Sequence, residues 1–102
     1  MKIGIIIVGD MNCKRDSDAY SYLSQINAKK KHNLKLMDVY KDVEIPFTMY
    51  FEAVKMVSDY IFYSNETIEI SSFHKLVDNG EMLPSQNFPS DHLYLSCDFK
   101  FK

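Results

Sequence analysis

Hydrophobic and polar positions repeat with different periods along the first third of the chain, and each period predicts one element. Residues 3–8 form an unbroken apolar run of mostly isoleucine and valine, which is typical of a strand buried on both faces. In residues 16–26, apolar side chains recur every three or four positions behind Asp16 and Ser17, so we predict a helix capped by one of these two residues. The lysines at 29–31 fit the C-terminal end of that helix, as a solvated end or as a patch that steers phosphate.

The rest of the chain has the density of aromatic and β-branched residues that is typical of strands. Residues 34–40 are amphipathic but short, and they predict a turn of helix or a connection. A loop is predicted at residues 80–90, which contain two of the three prolines. The predicted strands and extended segments are residues 47–51, 59–63, 67–73 and 93–101. Since strands outnumber helices and follow one another closely after residue 58, we expect mostly antiparallel pairing.

Composition narrows the class of protein. With 102 residues, 46% of them hydrophobic, and a net charge of −2, the chain suits one domain or part of one and does not suit disorder or binding of nucleic acid by bulk charge. A pocket that recognises a few phosphates with the help of a metal stays open. Two cysteines, Cys13 and Cys97, are too few for a disulfide scaffold and predict reduced thiols in the cytoplasm or nucleus. The apolar runs are too short to span a bilayer, so we expect no membrane partner.

Three short segments place acidic, amide and imidazole groups beside predicted strands. They are Gly-Asp-Met-Asn at residues 9–12, Asp-Tyr-Ile-Phe at 59–62 and Pro-Ser-Asp-His at 89–92. Taken singly, an Asp after a strand or a Ser-Asp-His tripeptide is most often a turn. In the same way, Asp59 and His92 could simply form a hydrogen bond between neighbouring strands. The combination in this order is much more specific.

Together the three segments resemble the C-terminal half of the endonuclease/exonuclease/phosphatase superfamily, whose members are metal-dependent phosphohydrolases similar in fold to deoxyribonuclease I. Residues 83–93 and 95–99 are most like the nocturnin and poly(A) deadenylase branch. The resemblance implies an α/β fold. It would be part of a four-layer sandwich with a mixed, mostly antiparallel sheet and one or two helices.

The resemblance also implies a role for five side chains. Asp10 would orient or deprotonate the attacking water, and Asn12 would bind a phosphate oxygen. His92 would contact the scissile phosphate while Asp59 orients and stabilises its imidazole. Asp91, directly or through water, and Asp10 would form part of a Mg²⁺ site that could also take Mn²⁺.

Members of the superfamily are much longer than this chain, and their N-terminal half supplies the glutamate that is the main metal ligand. We therefore expect residues 1–102 to be a single incomplete domain that is inactive alone and self-associates through an exposed sheet face. The complete domain would act on RNA such as poly(A) or on a phosphorylated nucleotide. The alternative is a non-catalytic relic or binding module that pairs with another chain. Ser58 departs from the resemblance, because an apolar residue usually stands there.

Overall fold

The computed structural model describes residues 3–24 and 34–102. In chain order the elements are β1 (Ile6–Asp10), α1 (Asp18–Ser24), β2 (Leu36–Asp38), β3 (Met49–Phe51), β4 (Val54–Met56), β5 (Asp59–Ser64), β6 (Ile68–Phe73) and β7 (Cys97–Phe101). The strands form a three-stranded sheet in the order β1-β5-β2 and two two-stranded sheets, β3-β4 and β6-β7. All of these pairings are antiparallel, as the sequence predicts.

The core lies against one face of the three-stranded sheet. Tyr60 and Phe62 of the central strand β5 point to this face because side chains alternate along a strand. They pack with Tyr20 of α1 and Leu36 of β2, and Ile7 of β1 adds to the cluster. The aromatic rings of α1 and β5 are 5.2–5.9 Å apart. This packing fixes β1 beside β5, in a register that sets the ends of the two strands opposite each other.

Strand β1 is not buried on both faces, so that prediction from residues 3–8 is wrong. Ile7 faces the core, but Ile6 is 38% exposed and Val8 is 62% exposed on the opposite face. The strand lies at one edge of its sheet, and these two side chains remain partly open to solvent on that face. A run of β-branched residues shows that a strand is favoured, but it does not show which of its two faces is covered.

Residues 34–40 contain a strand, β2, where the sequence predicts a turn of helix or a connection. Leu36 and Asp38 both face the core, and Met37 pairs with Tyr63 of β5. The buried Asp38 accepts a hydrogen bond of 2.9 Å from the Tyr20 hydroxyl. The hydrophobic pattern did not show the strand because a charged residue, Asp38, occupies one of its core-facing positions. The Tyr20 hydroxyl makes that burial possible by supplying a hydrogen bond.

Most of the other predicted elements are present, and one strand is shorter than predicted. The helix is confirmed as α1, and Ser17 caps it by accepting a 3.2 Å hydrogen bond from the Tyr20 N–H. Strands at 59–63 and 67–73 are confirmed as β5 and β6, and the loop is confirmed at residues 80–90. The last strand begins only at Cys97. The lysines at 29–31 lie outside the described residues.

Strand β4 has no counterpart in the predictions. It pairs with β3 through a tight turn whose two central residues, Glu52 and Ala53, have φ angles of 47° and 66°. Both angles are in the left-handed region that usually calls for glycine or asparagine, so the sequence carries no turn signal there. Over residues 3–24 and 34–102, no helix has the length and apolar character needed to cross a membrane.

Candidate active site

The ends of β1 and β5 bring two carboxylates together, and the β3 strand brings a third segment to them. Asp10, the last residue of β1, pairs directly with Asp59, the first residue of β5. On the other side, Met49 of β3 forms an isolated bridge with His92. The Tyr50 N–H donates a 2.7 Å hydrogen bond to the Asp91 carbonyl. Residues far apart in sequence therefore meet at one edge of the sheet.

His92 is held between carboxylates on both of its ring nitrogens. Its Nδ1 lies 2.8 Å from Oδ2 of Asp59. Its Nε2 lies 3.8 Å from Oδ2 of Asp10 and 3.8 Å from Oδ1 of Asp91. Because an ionised carboxylate only accepts hydrogen bonds, the Asp59 contact places a proton on Nδ1. The Nε2 atom then faces the more exposed carboxylates at the mouth of the site.

The environment of His92 changes its pKa in two opposing directions. Burial lowers the pKa because it disfavours the charged imidazolium. The hydrogen bond and charge of Asp59, helped by the charges of Asp91 and Asp10, outweigh this effect, so the pKa of His92 is raised above its ordinary value of 6.5. The imidazolium is therefore the favoured form over a wider pH range than in free histidine.

We predict that an NMR titration of His92 will give a pKa above 6.5, and that Asp59→Asn will lower it. The amide keeps the shape of the carboxylate but removes its charge, whereas Asp98→Asn removes a carboxylate hydrogen-bonded to Ser72 on β6 and should leave the His92 pKa unchanged. Because the folded-state pKa is raised, its contribution to stability is fully present below pH 6.5 and is lost as the pH rises through the folded value. Equal His92 pKa values in the two variants would contradict the prediction.

The segment after β1 holds the Asp10 carboxylate in place. Its Oδ1 accepts a 2.9 Å hydrogen bond from the Asn12 N–H, and Asn12 has a φ of 50°, a left-handed conformation that asparagine tolerates better than most residues. Gly9 has a φ of 145°, which side-chain-bearing residues rarely adopt. The Met11 N–H donates to the Ser58 carbonyl at 2.8 Å. The Asn12 side chain is thereby exposed two residues beyond Asp10.

Four of the five predicted side chains therefore meet at one site, namely Asp10, Asp59, Asp91 and His92. Asn12 reaches the site through its main-chain N–H to Asp10. Potential ligand atoms of Asp10, Asp59 and His92 lie within 4.8 Å of one another. Asp59 and His92 already bind each other, so Asp10 is the member of this cluster whose carboxylate lies outside that pair. Asp91 is outside the cluster, although its Oδ1 lies 3.8 Å from His92 Nε2. Carboxylates are donors that suit Mg²⁺, which keeps several of its waters when it binds protein. A shallow depression of about 340 Å³ lies beside them, lined by residues of β1, β5 and the Leu93–Leu95 segment.

Comparison with known proteins identifies the family. No family model matches the chain. It is 34% identical, over 96% of its length, to the probable CCR4-Not complex 3'-5'-exoribonuclease subunit Ccr4 of Vairimorpha ceranae. It is 31% identical, over 98% of its length, to human nocturnin. The solved catalytic domain of human nocturnin, with a bound sulfate anion, superposes on 98% of the chain with a TM-score of 0.74 and 31% identity. The chain belongs to the endonuclease/exonuclease/phosphatase superfamily.

Both the resemblance and the fold class are thus confirmed: the chain has the α/β fold of the superfamily's nocturnin and Ccr4 branch. It spans 24% of the Vairimorpha relative, 25% of human nocturnin and 34% of the solved nocturnin domain. The shared region therefore corresponds to about a quarter of each of these two full-length proteins.

Two residues near the candidate site were not among the predicted site residues. Thr48 is fully buried, and its Oγ1 accepts hydrogen bonds from the Ser58 and Asp59 N–H groups. The Tyr60 hydroxyl donates to the Cys13 carbonyl, next to Asn12, at 2.6 Å. Neither contact has a sequence signal, because buried hydroxyls in strands look like ordinary core residues until their partners are known.

Proposed function

We propose that this chain forms part of the catalytic centre of a metal-dependent hydrolase of the deadenylase type, which cleaves phosphodiester or phosphate-ester bonds. The observation that carries the proposal is the position of His92, with Asp59 at 2.8 Å on one nitrogen and two carboxylates at 3.8 Å from the other. A carboxylate on Nδ1 fixes the tautomer and orientation of an imidazole that acts at its other nitrogen. Membership of the nocturnin and Ccr4 branch supports the same reaction class.

In this proposal each side chain acts on the water or on the phosphate. Asp10 orients the attacking water and takes its proton, because its carboxylate is exposed beside His92. In its imidazolium form, which the neighbouring carboxylates stabilise by raising the pKa, His92 donates a hydrogen bond to a phosphoryl oxygen and offsets the negative charge that develops there. Asp59 stabilises that imidazolium. Asn12, with its side chain exposed in the turn after β1, binds a second phosphoryl oxygen.

A Mg²⁺ ion would be held by Asp10 and Asp91, with Mn²⁺ as a second candidate. These are hard oxygen donors at the exposed side of the site, which is the donor chemistry such cations prefer. The bound ion would polarise the phosphate and neutralise charge on it. Two carboxylates from this chain are a partial ligand set, and further ligands would come from another segment.

The substrate we propose is an RNA 3' end such as poly(A), or a phosphorylated nucleotide. Vairimorpha Ccr4 bears the name of a 3'-5' exoribonuclease, and the depression of about 340 Å³ beside His92 offers room for one small organic group. Since the net charge is −2, binding would depend on the site itself and less on bulk charge. We place the activity in the cytoplasm or the nucleus, where the two free thiols of Cys13 and Cys97 would stay reduced.

We also propose that residues 1–102 are the C-terminal portion of a single domain and lack activity by themselves. The proposal is supported by the short span of the match to the relatives and by the exposed apolar side chains of Ile6 and Val8 on β1. The same exposed face favours the second candidate, a non-catalytic module that pairs with another chain. Apolar edge strands of this kind bind partner strands or self-associate.

One experiment separates these candidates. An antibody against the last twenty residues would capture the native protein from its own cells. The intact mass of the captured protein would be measured by mass spectrometry. It would then be assayed on poly(A) RNA and on a phosphorylated dinucleotide, with Mg²⁺ and with a chelator. We expect hydrolysis of one substrate that the chelator abolishes, and none from the purified 102-residue chain. Captured protein that hydrolyses neither substrate in Mg²⁺ or Mn²⁺ would favour the binding module.

A further inference from the structure

Thr48 lies where the segments that carry Asp59 and His92 meet. It directly precedes β3, and no part of it is exposed to solvent. Buried threonine hydroxyls need a partner, because burying a hydroxyl without one is costly. The partners of this one belong to the proposed catalytic strand.

The Thr48 side chain binds the main chain at the start of β5. Its Oγ1 accepts hydrogen bonds from the Ser58 N–H at 2.9 Å and from the Asp59 N–H at 3.1 Å. Two main-chain donors converging on one oxygen fix the direction in which the strand enters the sheet. They therefore fix the Cα–Cβ direction of Asp59, whose carboxylate follows it.

The Thr48 main chain binds the segment that carries His92. Its carbonyl accepts a 2.8 Å hydrogen bond from the Leu93 N–H, one residue after His92. Its own N–H donates to the Met56 carbonyl of β4 at 2.9 Å. One residue is therefore bonded to the neighbours of both members of the Asp59–His92 pair and to the hairpin beside them.

We propose that Thr48 is a positioning residue that sets the separation and orientation of the Asp59–His92 pair. The proposal rests on the proposed function in one respect only, namely that this pair is the catalytic one. The Thr48 hydroxyl is required because a side chain of the same shape without an oxygen would leave two buried N–H groups without an acceptor. The start of β5 would then move to find other partners, and a carboxylate displaced by about 1 Å from Nδ1 no longer lies within hydrogen-bonding distance.

Ser58 adds a further contact to the Asp59 carboxylate. Its hydroxyl donates at 3.3 Å to Oδ2 of Asp59, which is the same oxygen that contacts His92 Nδ1. Ser58 thus contributes a polar contact to the pair. A carboxylate oxygen can accept both hydrogen bonds. The Asp59 carboxylate is therefore held by the Ser58 hydroxyl, and its main chain is held by Thr48.

The test is the tautomer of His92, measured by NMR at a fixed pH where the ring is neutral. The ¹⁵N shifts of the two ring nitrogens, read through the carbon-bound ring protons, distinguish Nδ1–H from Nε2–H. Free histidine prefers Nε2–H, so the Asp59 contact should make the unchanged chain an Nδ1–H tautomer. We expect Thr48→Val to shift the ring toward Nε2–H and Thr48→Ser, which keeps the hydroxyl, to restore Nδ1–H.

Ser64 offers a matched control at the other end of the same strand. It is also buried, and its Oγ accepts a hydrogen bond from the Ile5 N–H at 2.8 Å. Ser64→Ala therefore removes a comparable contact from β5 without touching the Asp59 end. We expect its His92 tautomer to match the unchanged chain, whatever it does to stability.

The proposal is overturned if the folded Thr48→Val chain keeps the Nδ1–H tautomer, or if Ser64→Ala shifts the tautomer equally. If the valine variant does not give a dispersed amide spectrum, Thr48→Ala, which also lacks the hydroxyl, is judged by the same criterion. Loss of Nδ1–H in Thr48→Ser would also overturn it. The NMR measurement is made without substrate. A protein that hydrolyses no substrate would therefore refute the proposed function without changing the tautomer result.

Discussion

Phe62→Ala is expected to lower the free energy of unfolding by about 3–5 kcal/mol, which is the usual cost of truncating a fully buried phenylalanine. Phe62 has no exposed surface and lies in the middle strand, where it pairs with both β1 and β2. Its ring packs 5.9 Å from Tyr20 and 5.5 Å from Tyr60, measured between ring centroids. Its loss would leave a cavity that the surrounding strands cannot close.

This change is large for a chain of this size. Small domains are stable by only about 5–15 kcal/mol, and for about 100 residues each kcal/mol shifts the melting temperature by roughly 4–8 °C. We therefore expect the melting temperature to fall by more than about 12 °C, or folding to be lost. Thermal unfolding followed by circular dichroism, with urea unfolding at 25 °C, measures it.

Phe101→Ala is the matched control, because the same side chain is removed from a different place. Phe101 of β7 is 70% exposed, so its truncation removes little buried apolar area and should cost about 1 kcal/mol or less. Similar losses of stability from both variants would mean that the core is not centred on β5. A small loss from Phe62→Ala would mean the same.

The central strand is the part of the fold that sequence predicts best, and the reason is physical. Residues 59–63 combine aromatic and β-branched side chains with burial on both faces, and few other structures accommodate that density. A short connection accounts for antiparallel pairing only in β3-β4, because the other paired strands are far apart in the chain and the neighbouring strands β5 and β6 do not pair. The segments of the candidate site could be found because the family resemblance rests on three motifs in a fixed order, and the structure brings Asp10, Asp59 and His92 together.

The missed elements depend on contacts between distant residues. Strand β2 was hidden because Asp38 occupies a core position, where a distant tyrosine satisfies it. The turn between β3 and β4 is formed by residues that rarely adopt its backbone angles. The exposed face of β1 and the two hydrogen bonds to Thr48 depend on what packs against them. All of these features depend on contacts between residues that are distant in sequence, so the local sequence pattern does not predict them.

His92→Ala is expected to lower the rate of phosphate-ester hydrolysis by about 10²–10⁴-fold in the native protein. The imidazole is the group that the geometry places between the pair-forming Asp59 and the exposed carboxylates. Alanine removes the hydrogen-bond donor to the phosphate and leaves the carboxylates of Asp10 and Asp91 without the imidazole that lies against them. Because carboxylates without a neighbouring cation repel an anionic substrate, we expect kcat to fall and substrate binding to weaken.

His74→Ala is the control for this experiment, since it removes an imidazole that has no part in the proposed reaction. The His74 ring stacks on Tyr94 at 4.4 Å, and its N–H donates to the Ser96 carbonyl, a main-chain bond that alanine retains. Both variants would be introduced into the gene, captured through a C-terminal tag and assayed with Mg²⁺ at equal protein concentration. A rate for His92→Ala as high as that for His74→Ala would remove His92 from the reaction. The proposed role of Asp59 would then also be wrong, because Asp59 is proposed to act only by orienting the imidazole of His92.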